Sequence, residues 1–204
     1  MPRTIVLGTR NKKKLAELTG LLAPYGFILL SLDDLPHALE VAETGSTFAE
    51  NAALKATQQA VHLQAWVIGE DSGLSVDALD GAPGVYSARF AGPDTTDERN
   101  NALLLTKLRD VPLDLRTAHY TCHATLSDPS GAIRADVEDY CPGRIRLEAA
   151  GSGGFGYDPL FEVVEYGQTF GELSSQVKSE ISHRAKAMKR LVPQILSIVD
   201  DGRW

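Results

Sequence analysis

Between Thr117 and Leu126 the chain alternates polar and apolar residues. Ala118, Tyr120, Cys122, Ala124 and Leu126 fall on one side, and Thr117, His119, Thr121, His123 and Thr125 on the other. A period of two is the signature of a strand with one face buried. Asp128–Gly131 (DPSG) is turn sequence, and Ala132–Cys141 is the expected partner strand. The first half of the chain follows a different pattern. Thr4–Gly8 is a short β-branched run, Thr9–Lys14 a polar turn, and Leu15–Leu22 carries helical apolar spacing at Leu15, Leu18, Leu21 and Leu22. Phe27–Leu32 reads as a second strand, Asp33–Thr47 as an irregular acidic stretch, and Phe48–Leu63 as a helix. Thr47 and Glu50 have capping-box spacing at the start of that helix. Trp66–Gly69 and Leu74–Leu79 are expected strands, Asp80–Gly84 a turn, and Thr96–Leu108 a helix. A last helix runs from near Ser182 to about Val199. Helices alternating with strands early and hairpin strands in the middle imply an α/β fold with a mixed twisted sheet flanked by helices.

The length, 204 residues, suits one domain of generous size or two small lobes. A net charge of −7 argues against a nucleic-acid polymer as partner, because binding one requires many phosphate contacts from a basic face. A small anion held by a local basic cluster stays compatible. The two cysteines, Cys122 and Cys141, form no CxxC and suit a reducing compartment. The apolar run near the N-terminus is too short for a signal peptide or membrane span, so a cytoplasmic protein with no membrane partner is expected.

Four glycines crowd into Gly151–Phe161 (GSGGFGYDPLF), with Phe155 among them and Tyr157 and Asp158 after them. Glycines cost backbone entropy and bury nothing, so a core strand has no use for them. Such a segment suits either a solvent loop or a place where backbone approaches a flat ligand of purine size. In the second case Phe155 and Tyr157 offer stacking faces and Asp158 an acceptor for ring N–H groups. Thr9-Arg10-Asn11-Lys12-Lys13-Lys14 stands where a strand hands over to a helix, a natural anion site with Asn11 as cap and Lys14 in reach, though without the P-loop pattern. Glu70 and Asp71 are neighbours on a strand and point to opposite faces. Asp71-Ser72-Gly73 resembles a strand end and favours Asp71 as the presented carboxylate. With Glu43 from the irregular loop it could hold Mg²⁺, which takes oxygen ligands plus water and phosphate. By spacing alone Lys55 and Lys178 are surface lysines. His183 and Arg184 fall in the first turn of the last helix, where cations oppose the dipole. His119 and His123 stand about 13 Å apart in a strand and cannot share one ion.

The blocks TRNKKK (9–14), ETGSTFAENAALKA (43–56), EDSGL (70–74), GAPGVYSARFAG (81–92), GGFGYDPLF (153–161) and ELSSQVKSEISHRAKAM (172–188) resemble, in this order and spacing, the non-canonical purine nucleoside triphosphate pyrophosphatases. The resemblance runs from Ile5 to about Leu196. It implies a single domain of two lobes over residues 1–204, with the substrate in a cleft between the lobes. It further implies a homodimer, and Mg²⁺-assisted hydrolysis of ITP, dITP and XTP to the monophosphate and pyrophosphate. Carried over by motif, Asp71 is the proton acceptor and, with Glu43, a metal ligand. Thr9, Arg10, Asn11, Lys12, Lys13, Lys14 and Lys55 meet the phosphates, and Ser72 contacts substrate. Phe155, Gly156, Tyr157 and Asp158 hold the base, with Lys178, His183 and Arg184 closing over it. Arg10 replaces a residue that is often small in the family, Lys12-Lys13 makes the loop unusually basic, and Glu70 replaces a frequent Asp, with a modest expected effect. Asp200–Trp204 has no counterpart. Two alternatives stand beside this reading: a related pyrophosphatase acting on pyrimidine or modified nucleotides, and a non-catalytic nucleotide-binding module.

Overall fold

The computed structural model describes residues 3–204. Its strands are β1 (Thr4–Leu7), β2 (Ile28–Ser31), β3 (Val67–Val76), β4 (Thr117–Ser127), β5 (Ile133–Ile145), β6 (Phe161–Val163) and β7 (Gln168–Thr169). They form one seven-stranded sheet in the order β2-β1-β3-β4-β5-β6-β7. β1 pairs in parallel with β2 (Val6 opposite Leu30) and with β3 (Val6 opposite Val67), whereas β5–β6 and β6–β7 are antiparallel. The sheet is therefore mixed and open, as the pattern of the sequence implies. The helices are α1 (Lys12–Leu22), α2 (Phe48–Leu63), α3 (Asp97–Lys107), α4 (Ser175–Ile181) and α5 (His183–Asp200).

The helix starts follow local capping chemistry. Asn11 Oδ1 accepts from the amides of Lys13 (3.0 Å) and Lys14 (3.2 Å), so α1 begins at Lys12, three residues before the apolar spacing becomes visible. Thr47 and Glu50 form the expected capping box on α2, and Thr96 caps α3. Other expectations need correction. The strands expected at Trp66–Gly69 and Leu74–Leu79 are one strand, β3, and Asp71-Ser72-Gly73 does not end it. β3 lies inside the sheet between β1 and β4, and its acids, Glu70 and Asp71, are buried with cationic partners. The polar face of β4 is not solvated either: Thr121, His123 and Thr125 are buried. His123 lies 2.8 Å from Asp136 Oδ1 and 3.2 Å from Glu138 Oε2, so neighbours on β5 supply the partners that water would supply at a surface. α4, β6 and β7 are too short to leave a readable period.

The chain divides into two compact units, one of residues up to Asp71 with Cys122–Asp139 and Arg184–Trp204, the other of Ser72–Thr121 and Tyr140–His183. In the first, Ile5, Leu7, Ile68, Cys122, Ala124 and Leu126 are covered by Leu18 and Leu22 of α1 and by Met188, Leu191 and Ile195 of α5. Val6 and Val67, one residue out of phase, pack with Ala60 of α2. The C-terminal Trp204 is part of this packing: its ring stacks on Trp66 at 4.3 Å with planes 5° apart. In the second unit Tyr120, Tyr157, Leu160, Phe161 and Phe170 form an aromatic-rich core with Leu104 and Leu108 of α3.

Candidate active site

In the first unit two charged clusters hang from consecutive residues of β3. Glu70 is 2% exposed and faces α1 and α5. Its Oε1 accepts from Arg184 Nη2 at 3.0 Å, and its Oε2 lies 3.0 Å from Lys14 Nζ. Cys122 Sγ also donates to Oε1, at 3.5 Å. Arg184, 1% exposed, is held on its other side by Glu17 of α1. Burial works against the guanidinium charge, but the Glu70 and Glu17 carboxylates outweigh it and raise the pKa. Those two carboxylates also explain a cation in the first turn of α5. Arg184 is therefore committed to Glu17 and Glu70 and does not lie open over a base. Glu70, expected to matter little, is the anion that ties Lys14 of α1 to the start of α5.

Asp71 points the other way, toward α2, as alternation along a strand requires. Its Oδ1 lies 3.0 Å from Lys55 Nζ, and its Oδ2 accepts from Asn51 Nδ2 at 3.2 Å. Lys55 Nζ is also 3.5 Å from Glu43 Oε2. Lys55 is thus no surface lysine; one helical turn from Asn51, it sits between two carboxylates. Burial disfavours its charge, yet Asp71, Glu43 and Glu70 hold its pKa above the ordinary lysine value. The buried Asn51 reaches back as well, its Oδ1 accepting from Gly45 N at 2.8 Å, which ties the Glu43 loop to Asp71. No spacing rule flags Asn51: it stands in the first turn of α2, directly after the capping-box Glu50, and its own side chain makes no part of that cap. Gly69 makes the close approach possible: a Cβ there would lie 2.2 Å from the Ala52 carbonyl of α2.

The basic turn is only partly drawn in. Thr9 Oγ1 accepts from Asn11 N at 3.1 Å, and Arg10 Nη2 donates to Ala38 O at 3.1 Å. Arg10 therefore braces the acidic loop, while Lys12 and Lys13 stand exposed. Among the described residues no three His, Cys, Asp or Glu side chains gather as a metal cage. Glu43 and Asp71 nevertheless suit a hard divalent cation, since both are oxygen donors already converging on one positive charge, Lys55 Nζ.

In the second unit the glycine-rich segment is wound around Asp158. Its Oδ2 accepts from Phe155 N at 2.9 Å and pairs with Lys178 Nζ at 2.7 Å. Gly154 has φ +73°, and a Cβ there would lie 2.0 Å from that same oxygen, so no other residue fits. Asp158, 3% exposed, organises the loop from within. Lys178 Nζ stands 5.1 Å from the centroid of the Phe155 ring, a cation–π distance, and is likewise no surface lysine. Tyr157 is 2% exposed in the core, its hydroxyl donating to Ser87 O at 2.8 Å, so it offers no stacking face. Burial, with Asp97 nearby, pushes its phenol pKa up. Phe155 stays partly exposed. The buried His183 stacks on Tyr120 at 4.8 Å with planes 9° apart, and Tyr120 Oη accepts from Tyr157 N. Ser72 follows Asp71 on β3 and is half-buried.

The first unit carries ion-paired lysines and carboxylates on a central strand, and the second a glycine loop with a partly exposed aromatic ring, in an α/β protein with a mixed sheet. A sequence profile of the Ham1 family matches residues 5–194, and the chain belongs to that family. It is 53% identical over 198 residues to a dITP/XTP pyrophosphatase of Rhodopirellula baltica, covering 97% of this chain and 95% of the relative. A second, of Desulforamulus reducens, is 50% identical, covering 91% and 92%. Among solved structures, a Ham1 protein of Coxiella burnetii superimposes with TM-score 0.87 at 34% identity over 96% of this chain and 99% of that one. A nucleoside-triphosphatase (dITP/XTP pyrophosphatase) of Mycobacterium abscessus does so with TM-score 0.76 at 42% identity, over 93% and 99%.

Proposed function

We propose that this chain hydrolyses non-canonical purine nucleoside triphosphates (dITP, XTP and ITP) to the monophosphate and pyrophosphate, clearing deaminated purines from the nucleotide pool. The observation that carries the reading is the Asp71 cluster, a buried carboxylate oriented by Asn51 and Lys55 with Glu43 on the same ammonium. The near full-length relationship to dITP/XTP pyrophosphatases supports it.

Asp71 accepts the proton of a water attacking the α-phosphorus, and the bond to the pyrophosphate leaving group breaks. Lys14, Lys55 and the amides at the start of α1, with Thr9 and Asn11 shaping that turn, neutralise phosphate charge. Arg10, Lys12 and Lys13 add a diffuse positive field at its rim. Glu43 and Asp71 would hold Mg²⁺, which when bound neutralises phosphate oxygens and favours the in-line displacement. Ser72 contacts the substrate beside Asp71. Phe155 stacks on the base, the Gly156–Asp158 backbone lines it, and Lys178 and His183 supply donors that a 6-oxo purine satisfies and adenine leaves unpaired. Arg184 serves through Glu70, holding the carboxylate that holds Lys14. A cytoplasmic homodimer acting on small nucleotides is the setting that the family resemblance suggests. The net charge of −7 favours small nucleotides over polymers as substrates.

The test is release of pyrophosphate or orthophosphate from ITP, XTP, ATP, GTP and dTTP, with and without Mg²⁺. Metal-dependent pyrophosphate from ITP and XTP, with ATP and GTP idle, is expected. Orthophosphate release, preferential turnover of dTTP, or saturable ITP binding without turnover each overturns the reading.

A further inference from the structure

Helix α3 carries Asp97, Asn100 and Asn101 near its start, and spacing of three and four residues puts them on one face. A polar face on a helix usually looks to solvent. Here Asn100 is 3% exposed, and all three side chains are bonded to loops of the second unit. Asn100 Oδ1 accepts from Ala91 N at 2.8 Å, and its Nδ2 donates to Ser87 O and Ala88 O, fixing the GAPGVYSARFAG segment. Asp97 and Asn101 take the other loop. Asp97 Oδ2 accepts from Gly156 N at 2.8 Å, and Asn101 Nδ2 donates to Gly156 O at 3.0 Å. Gly156 is thus gripped at both of its peptide groups, in a left-handed conformation with φ +61°.

Asn101 makes this grip at a cost. Its Oδ1 is buried with no hydrogen-bond partner, and turning the amide over to satisfy it would set oxygen against the Gly156 carbonyl. A buried unsatisfied acceptor destabilises the fold and is retained where something else depends on it. What depends on it is the neighbouring residue, since Phe155 lies between the gripped Gly156 and Gly154. Phe155 also donates its own amide hydrogen to Asp158, across from Lys178.

We propose that Asp97 and Asn101 are positioning residues for the base: by gripping both peptide groups of Gly156 they set where the Phe155 ring and the Asp158 loop stand. The inference rests on the reading of Phe155 as the stacking residue. Neither residue touches the base; each acts through Gly156. The bracket sets the affinity for the ring and leaves the chemical step at Asp71 alone, so its loss separates KM from kcat.

The experiment measures kcat, KM and thermal midpoints with XTP and ITP for Asp97→Ala, Asp97→Asn, Asn101→Leu, Phe155→Ala and the Asp97→Ala/Phe155→Ala double variant. Asp97→Ala is expected to raise KM roughly tenfold, the worth of one charge-assisted hydrogen bond, with kcat little changed. Asp97→Asn recovers most of the loss, because an amide oxygen still accepts from Gly156 N–H. Asn101→Leu raises KM with kcat little changed: it removes the orphaned oxygen but also leaves the half-buried Gly156 carbonyl without its donor, so the thermal midpoint moves little, whereas a purely structural role would lower both stability and kcat. Asp97→Ala adds nothing to KM in the Phe155→Ala background. An unchanged KM in Asp97→Ala, or effects that add in the double variant while Phe155→Ala alone is impaired, overturns the bracket only. An unchanged KM in Phe155→Ala overturns the base reading and the bracket together.

Discussion

Gly69→Ala is a single methyl group placed beneath the Asp71–Lys55–Asn51 cluster. Gly69 precedes Glu70 and Asp71 on β3, and α2, which carries Asn51 and Lys55, crosses directly above it. The added Cβ would lie 2.2 Å from Ala52 O, 2.5 Å from Ala56 N and 3.0 Å from Ala56 Cβ. Carbon–oxygen contacts settle near about 3.3 Å, so α2 must withdraw by about 1 Å. Backbone, not a flexible side-chain end, stands in the way, and overpacking of this kind costs about 1–3 kcal/mol. The functional cost is larger. Lys55 Nζ and Asn51 Nδ2 stand 3.0 and 3.2 Å from Asp71 and ride on the displaced helix. A misplacement of about 1 Å lowers turnover on the order of a hundredfold. Steady-state pyrophosphate release from XTP, with urea unfolding in parallel, checks both numbers. Gly20→Ala is the control: nothing lies within 4 Å of a Cβ at that position in α1, so alanine there stabilises by about 0.5–1 kcal/mol and leaves activity unchanged. A folded Gly69→Ala variant with native turnover refutes the claim that the approach of α2 to β3 sets the Asp71 cluster.

Asp71→Asn keeps the shape but removes the proposed proton acceptor and the charge facing Lys55; pyrophosphate release falls by at least about a thousandfold while the circular dichroism spectrum is retained, and substantial residual turnover would remove Asp71 from the mechanism. Lys178→Met strips Asp158 of its partner at 2.7 Å in a buried setting and costs about 3–5 kcal/mol of stability, much of it restored in a Lys178→Met/Asp158→Asn double variant; equal urea midpoints for single and double variants would contradict this. Burial, with the Glu70 carboxylate beside it, pushes the Cys122 thiol pKa well up. The folded chain therefore keeps that proton to higher pH than the unfolded chain does, and this contribution to stability is complete below about pH 8.5 and is lost as pH rises beyond it. Unfolding free energy should fall between pH 8 and 9.5 with a shallower slope in Cys122→Ala, and identical slopes would refute the assignment.

Much of the architecture is local and was legible as such. Asn11, Thr47 and Thr96 cap helices because a side-chain oxygen needs only an amide two or three residues on. The alternation in Thr117–Leu126 marks a strand wherever that strand ends up, whereas the contact of Gly154 with Asp158 came only with the fold. The family was legible for the same reason: each motif block is short and self-contained.

Partnership was not legible. Spacing presented Lys55 and Lys178 as solvated lysines and Glu70 as a minor substitution. In the fold all three are paired, with Glu70 and Lys178 buried and Lys55 half-buried: Lys55 with Asp71 and Glu43, Lys178 with Asp158, and Glu70 with Lys14 and Arg184. Glu70 and Arg184 are 114 positions apart, Glu17 and Arg184 167. Local sequence marked the starts of α1 and α2 and the alternation of β4, while β3 was divided and α4, β6 and β7 left no signal. Which cation neutralises which acid followed from the packing of the fold. Capping and periodicity act over a few residues, whereas an ion pair depends on strand order and helix packing, and burial makes that choice costly to reverse.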